Sequence, residues 1–442
     1  MRVSAEQVFP SSAVFAHGRL VALGGVDVDR LADAHGTPLW VLDRAELVGR
    51  MRAYREAFGP DVAVAYAAKA LCVTGVLQLA AAEGLHLDVA SGGELRTAEA
   101  AAFPMERVVF HGNNKSVAEL EQAARLGVGR VVADSFAELD RLADVAARTG
   151  YTFHVLLRVT PGVDTDTHAH IRTGHDDSKF GFTLSAGLAD AAVDRTMALP
   201  GIELAGLHSH VGSQILAGDA FESAVVAMVD LLARMRERHD AELAELNLGG
   251  GLGIAYTRDD AAVPIAEYAA RLLAAVDAEC AKLAMARPRL TVEPGRSIAG
   301  PAGVTLYRVG TVKEIPGVNT YVAVDGGMSD NPRPALYGAR YEFAPAGAGK
   351  PAGETRPVAI AGKHCETGDV LARDVDLPVD LAEGELLAVA ATGAYNQTMA
   401  SNYNRLPRPA MVLVGDGRAE VLLRRESLDD VLSHDVPLDF PT

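Results

Sequence analysis

The sequence predicts an α/β protein, a (β/α)8 TIM-type barrel joined to a second, mostly β domain. From about residue 38, short β-branched runs alternate with longer Ala/Leu/Arg/Glu stretches of helical period, the texture of a parallel sheet built from βα units. Eight such runs precede residue 300, the number a closed barrel needs. Beyond that point the helical stretches give way to Gly, Pro and strand-like runs, so a domain of different build follows.

In chain order, Ser12 to Asp27 alternates weakly, and residues 1–35 are expected as strands that join the β domain. The barrel is expected over 36–300. Its strands are Val62 to Lys69, His86 to Ser91, Arg107 to Gly112, Arg130 to Ser135, Thr152 to Thr160, Ile202 to Val211, Leu243 to Gly249 and Arg289 to Glu293. Between them Glu94 to Ala102, Val117 to Leu126, Phe136 to Arg148, Ala217 to His239 and Ile265 to Ala286 have helical period. Pro161 to Phe182 is long for a βα loop and is expected as a lid. In the β domain, 301–442, strands are expected from runs such as Val304 to Val309, Leu386 to Ala391 and Ala410 to Val414, with Ala344 to Gly353 as a surface connection.

Composition narrows the function. With 442 residues, 49% of them hydrophobic and 22% charged, the chain is globular rather than disordered. A net charge of -17 with no basic stripe argues against a nucleic-acid partner. Three cysteines with no C-x-x-C pair give no disulfide framework and no cysteine zinc site, which fits a cytoplasmic protein. The apolar stretch Ala13 to Val26 is interrupted by His17, Gly18, Arg19 and Gly24, so no secretory segment and no membrane span is expected.

The active site of such a barrel lies at the C-terminal ends of its strands, where Lys69, Ser91, His111, Arg158, His210, Gly249-Gly250-Gly251 and Glu293 fall. Lys69 follows an apolar run; its amine either snorkels to solvent or sits in the barrel mouth, where desolvation would suit it to a Schiff base. The run Leu246-Asn-Leu-Gly-Gly-Gly-Leu-Gly253 lacks the Gly-Lys-Ser/Thr ending of a nucleotide loop. It is either a tight turn or a phosphate cradle that Glu293-Pro-Gly-Arg-Ser297 could close. His208 and His210 share one strand face and could bind a metal, but too few matching partners end the other strands, so no metal is expected. Glu293 is costly to bury without a basic partner, and a protonated pyridine nitrogen would satisfy it. A lysine, glycine turns and a carboxylate together meet the needs of pyridoxal 5'-phosphate.

At this level the chain resembles the diaminopimelate decarboxylases, whose barrel-plus-β-domain class includes alanine racemase and eukaryotic ornithine decarboxylase. The motifs that carry the resemblance begin with Tyr66-Ala-Ala-Lys69-Ala, Asp88-Val-Ala-Ser-Gly-Gly-Glu94, Phe110-His-Gly-Asn-Asn-Lys-Ser116, Ser178-Lys-Phe-Gly181 and His208-Ser-His-Val-Gly-Ser-Gln214. They continue with Gly249-Gly-Gly-Leu-Gly253, Glu293-Pro-Gly-Arg296, Asp330-Asn-Pro-Arg-Pro-Ala-Leu-Tyr337, Cys365-Glu-Thr-Gly-Asp369 and Gly393-Ala-Tyr395. Ser209, where many members have Cys, and Thr367, where Ser is usual, are small departures.

The resemblance implies that Lys69 holds the cofactor as a Schiff base, with Asp88 in the cofactor site, His210 on the pyridine face and Glu293 at its nitrogen. It places Ser213, Gly250, Gly251, Gly253, Gly295 and Arg296 around the phosphate, with Tyr395 closing over it. It assigns Arg296, Arg333, Tyr337, Glu366 and Tyr395 to the substrate, makes Cys365 the proton donor, and implies a homodimer with shared sites. Glu293 speaks against an alanine-type racemase, which usually has Arg there. Arg296 and Arg333 can clamp a distal carboxylate and Glu366 a distal ammonium, so the expected reaction is meso-2,6-diaminopimelate to L-lysine and CO2, the last step of bacterial lysine biosynthesis. A decarboxylase of the ornithine or lysine type is the alternative. A silent binding protein should have lost Lys69 or Cys365, and both are present.

Overall fold

The computed structural model describes residues 5–162, 178–216, 219–351 and 353–439. The chain divides into two compact units. One, the barrel unit, comprises Val48–Ile254 and Ala261–Ile298; the other, the β unit, comprises Met1–Leu47, Ala255–Asp260 and Ala299–Thr442.

In the barrel unit, Val62–Ala67, His86–Val89, Val108–Phe110, Arg130–Ala133, Phe153–Thr160, Ile202–Ser209, Glu245–Asn247 and Arg289–Val292 pair in parallel in that order. The last strand returns to the first, closing the barrel. All eight runs expected from the sequence are present. Short Phe182–Thr183 adds alongside Phe153–Thr160; the remainder of the expected lid, 163–177, lies outside the described residues. Val109, Val132 and Leu156 fill the interior with Ala205 against them.

The two ends of the barrel differ. At the strand starts, Glu245 receives Arg130 Nε at 2.8 Å and Arg289 at 2.7 Å, a pairing that belongs to stability rather than chemistry. At the strand ends, Ser91, Ser116 and Ser135 accept from the N–H groups of Glu94, Glu119 and Glu138 and so start the following helices. Ser91 is therefore a helix cap.

The β unit is built on one sheet of twelve strands among the described residues. Val14–Ala16, Arg19–Leu23 and Val26–Asp27 join it, as the alternation ahead of the barrel suggested. Two expectations need correction. The boundary expected at residue 36 falls after Leu47, because wholly buried Leu39–Asp43 pairs antiparallel with Gly303–Ile315 and parallel with Ala410–Gly415. The connection expected at Ala344 to Gly353 begins instead as the buried strand Phe343–Ala346, which pairs with Leu386–Val389 and Arg19–Leu23; its Pro345 had masked the strand. No helix among the described residues is long and apolar enough to cross a membrane.

Candidate active site

Lys69 lies in the short turn Ala68–Ala70 that ends the first barrel strand. Its Nζ is 2.9 Å from Asp88 Oδ2, with the lysine side chain 44% exposed and the aspartate 1%. The amine is thus held at the wet end of a buried carboxylate. Lys115, in contrast, is buried in an ion pair with Glu138 at 2.7 Å and donates to the carbonyls of Gly112 and Val132. Of these two, Lys69 has the solvent-accessible side chain and Lys115 the buried one.

Glu293 follows the eighth barrel strand and is buried. Its Oε1 accepts from His111 Nε2 at 2.7 Å and from Asn247 Nδ2 at 2.6 Å. The Asn247 amide is oriented by Gly249 N–H, which donates to its Oδ1 at 2.9 Å. His208 Nε2 lies 3.3 Å from Oε2 without a well-aimed hydrogen bond, and the His111 ring meets the His208 ring edge-on at 4.8 Å. Burial opposes ionisation of Glu293, but His111 and His208 together hold the carboxyl well below the ordinary range. Burial pushes His208 down to about 4, against the opposing pull of Glu293.

Burial also holds His210 well below the ordinary histidine range, helped by Lys69 and Arg158. Gly250 N–H donates to His210 Nδ1 at 3.2 Å and fixes the ring. The glycine run is tightly packed: a Cβ on Gly250 would stand 2.1 Å from Glu293 O, and one on Gly251 2.5 Å from Gly212 O. These glycines let three strand-end segments meet. The N–H of Gly253 goes to Ile215 O. Beside this run Ser213 Oγ accepts from Arg296 at 2.8 Å, while Gly295 packs on Ala67 and Ala70.

These residues fit pyridoxal 5'-phosphate. Glu293 is a buried carboxylate whose histidine neighbours keep it ionised, the acceptor that a pyridine N–H requires. Ser213 and Arg296 bring a hydroxyl and a guanidinium together, the donor set of a phosphate site. His111, His208 and Glu293 could by distance also hold a metal, with ligand atoms within 4.8 Å of one another. His111 and Asn247 both donate into Glu293, however, so the same atoms already form a hydrogen-bonded cage.

In the β unit, Arg333 opens the short helix Arg333–Tyr337. It is 7% exposed and donates to Tyr341 OH at 2.6 Å. Its guanidinium lies 4.5 Å from the Tyr256 ring centre. Among the described residues no carboxylate pairs with it. Burial works against its charge, and Tyr256 and Tyr341 more than compensate. Tyr395 has φ 62°, a left-handed conformation uncommon outside glycine. Tyr337 is exposed at the helix end. Cys365 and Glu366 are both exposed on the 362–369 loop, Cys365 N–H donating to Asn404 Oδ1 at 2.9 Å.

Residues 44–300 match the model of the pyridoxal binding domain of pyridoxal-dependent decarboxylases. The diaminopimelate decarboxylase of Bacillus subtilis is 47% identical over 426 residues, 95% of this chain and 96% of the relative. The chain belongs to the diaminopimelate decarboxylase family. The enzyme of that name from Mycobacterium tuberculosis is 45% identical over 98% of each chain. The crystal structure from M. jannaschii superposes with a TM-score of 0.90 at 32% identity, covering 97% of this chain and 98% of that one.

Family membership makes the chain a pyridoxal-phosphate-dependent decarboxylase. Sequence reasoning named Lys69 and Glu293 but gave no role to His111 and did not single out Asn247. His208 was weighed with His210 as a metal pair, whereas the structure sets it beside Glu293 and His111. The one available signal was the argument that a buried Glu293 needs partners, and that argument could not say which.

Proposed function

We propose that Lys69, Glu293, Arg333 and Cys365 carry the family reaction in this chain, the loss of CO2 from meso-2,6-diaminopimelate to give L-lysine. The observation that carries the reading is the convergence of Lys69, Asp88, His111 and Glu293 at the barrel strand ends. Pyridoxal 5'-phosphate, when bound, supplies the sink for the electron pair left as CO2 departs. Lys69 Nζ would hold its aldehyde, with Asp88 keeping the amine in place. Glu293 would hold the proton on the pyridine nitrogen, and His210 would cover a face of the ring. Ser213, Gly250, Gly251, Gly253, Gly295, Arg296 and Tyr395 would bind around the phosphate.

Substrate choice rests on Arg333. A buried guanidinium framed by Tyr256 and Tyr341, with no carboxylate partner among the described residues, is a seat for a substrate's distal carboxylate. Arg296 and Tyr395 would assist, Tyr337 and Glu366 would meet the distal amino end, and Cys365 would deliver a proton to Cα. Relatives from M. jannaschii and Helicobacter pylori are complexed with L-lysine, which supports an amino-acid ligand of this length. The lysine/ornithine decarboxylase of Vibrio vulnificus shares the fold at 23% identity and carries no argument about substrate. A cytoplasmic location belongs to the same reading and agrees with three unpaired cysteines.

Borohydride reduction of the holoenzyme should fix the cofactor to a peptide containing Lys69; label on Lys115 or Lys179 would refute the assignment. Offered meso-diaminopimelate, ornithine, lysine and arginine in parallel, the enzyme should prefer the first. A homodimer with shared sites, Cys365 serving its partner, is part of the proposal. Mixing Lys69→Ala with Cys365→Ala under random subunit exchange should then restore about a quarter of parental activity per site, since half the dimers are mixed and hold one intact site in two. No recovery despite demonstrated heterodimers would place Cys365 in cis or outside the mechanism.

A further inference from the structure

Beneath the exposed Cys365–Glu366 tip lies a buried pair, His364 and Asp369, with side chains 0% and 1% exposed and Nδ1 2.6 Å from Oδ2. Asp369 also accepts from the N–H of His364 at 2.9 Å and of Met328 at 2.7 Å. A buried carboxylate is costly unless such donors gather on it. Gly327 and Gly362 leave room for it, since a Cβ on either would come within 2.5 Å of an Asp369 oxygen. His364 stacks on Tyr403 with ring centres 5.6 Å apart and planes within 8°. Tyr403 OH reaches Glu366 at 3.4 Å.

The same turn, Gly326 to Met328, is held from its other side. Gly327 N–H donates to Asp330 Oδ1 at 2.8 Å, and Gly327 O accepts from Asn331 N–H at 2.9 Å. Two residues further on stands Arg333. One backbone turn thus ties the Cys365 loop to the Arg333 segment within the β unit.

We propose that His364 and Asp369 are positioning residues for Cys365, fixing its loop on the Gly326–Met328 turn so that the thiol is presented at one place on the loop tip. The inference rests on the role given above to Cys365. Neither His364 nor Asp369 is asked to transfer a proton to substrate.

The test compares two variants as holoenzymes. His364→Asn keeps an N–H donor near the place of Nδ1 and loses the stacked ring; His364→Phe keeps the ring and loses the donor. His364→Gln, whose amide sits nearer the Nε2 place, substitutes for the Phe variant if that one does not fold. Three quantities are read: the rate at which iodoacetamide alkylates Cys365, kcat and KM separately, and cofactor content. A misplacement of about 1 Å costs up to ~10²-fold, so the Phe variant should lose about 10- to 100-fold in kcat with KM little changed. Its Cys365 alkylation rate should shift several-fold at full cofactor content, and the Asn variant should stay near parental on all three.

Parental alkylation and kcat in the Phe variant would overturn the proposal. So would equal losses in both variants accompanied by loss of cofactor, the mark of a merely structural role. If Cys365→Ala kept parental kcat, the proton-donor reading would fall, and the alkylation rates alone would still decide whether His364 positions the loop.

Discussion

In the barrel unit each charged group at the strand ends has its partner within the unit: Lys69 has Asp88, and Glu293 has His111 and Asn247. In the β unit Arg333 is buried against tyrosines with no carboxylate beside it among the described residues, and Cys365 and Glu366 are exposed. The barrel half of the chemistry is preorganised by the chain alone. The β half leaves Arg333 without a carboxylate among the described residues, which is why the proposal places substrate recognition there.

The largest expected effect sharpens the first side of this contrast. Burial pushes Lys115 down and Glu138 up, so each is desolvated at cost and depends on the other. Lys115→Met strands a buried carboxylate and should lower unfolding free energy by about 3 to 5 kcal/mol in denaturant titration. Adding Glu138→Leu should recover part of the loss; a single variant as stable as the parent would show that the pair does not hold the barrel.

Next is Glu293→Gln, which cannot carry the charge that His111 and Asn247 stabilise. A loss of about 10²- to 10³-fold in kcat is expected, with cofactor content measured alongside. A change of less than tenfold would mean that the cage around Glu293 serves folding only.

On the β side, Arg333→Lys removes the planar donor fork. It should cost about 1.5 to 3 kcal/mol in kcat/KM for meso-diaminopimelate, with no matching loss for ornithine. Equal losses for both substrates would break the assignment of Arg333 to a distal carboxylate.

The last comparison concerns pH. Burial lifts Asp330 from 3.8 to about 7, opposed by hydrogen bonds from Tyr307 and Gly327 and reinforced by Asp325 and Asp369. The folded state therefore binds one more proton than the unfolded state across that window. Its contribution is greatest at the acid end and is lost as pH rises to about 7, at no more than about 1.4 kcal/mol per pH unit. Asp330→Asn should remove that slope from stability measured between those limits, and an unchanged slope would place the titration elsewhere.

By itself the sequence determined the eight barrel strands, the residues that end them and the family motifs, because strand period and strand-end position are local properties of the chain. Leu39–Asp43 shows where that reach ends: an apolar run of four before Asp43 looks alike in either unit, and only its pairing with Gly303–Ile315 and Ala410–Gly415 assigned it. Glu293 shows the same for chemistry. Its need for partners followed from the cost of burying a charge, but His111 stands 182 residues away in the chain and Asn247 46. They meet it because closure of the barrel brings the ends of the third, seventh and eighth strands to one mouth. Tertiary structure alone decided those partners, as it decided that Arg333 is buried among tyrosines with no carboxylate beside it among the described residues, since no local pattern records which distant side chains share a low-dielectric space.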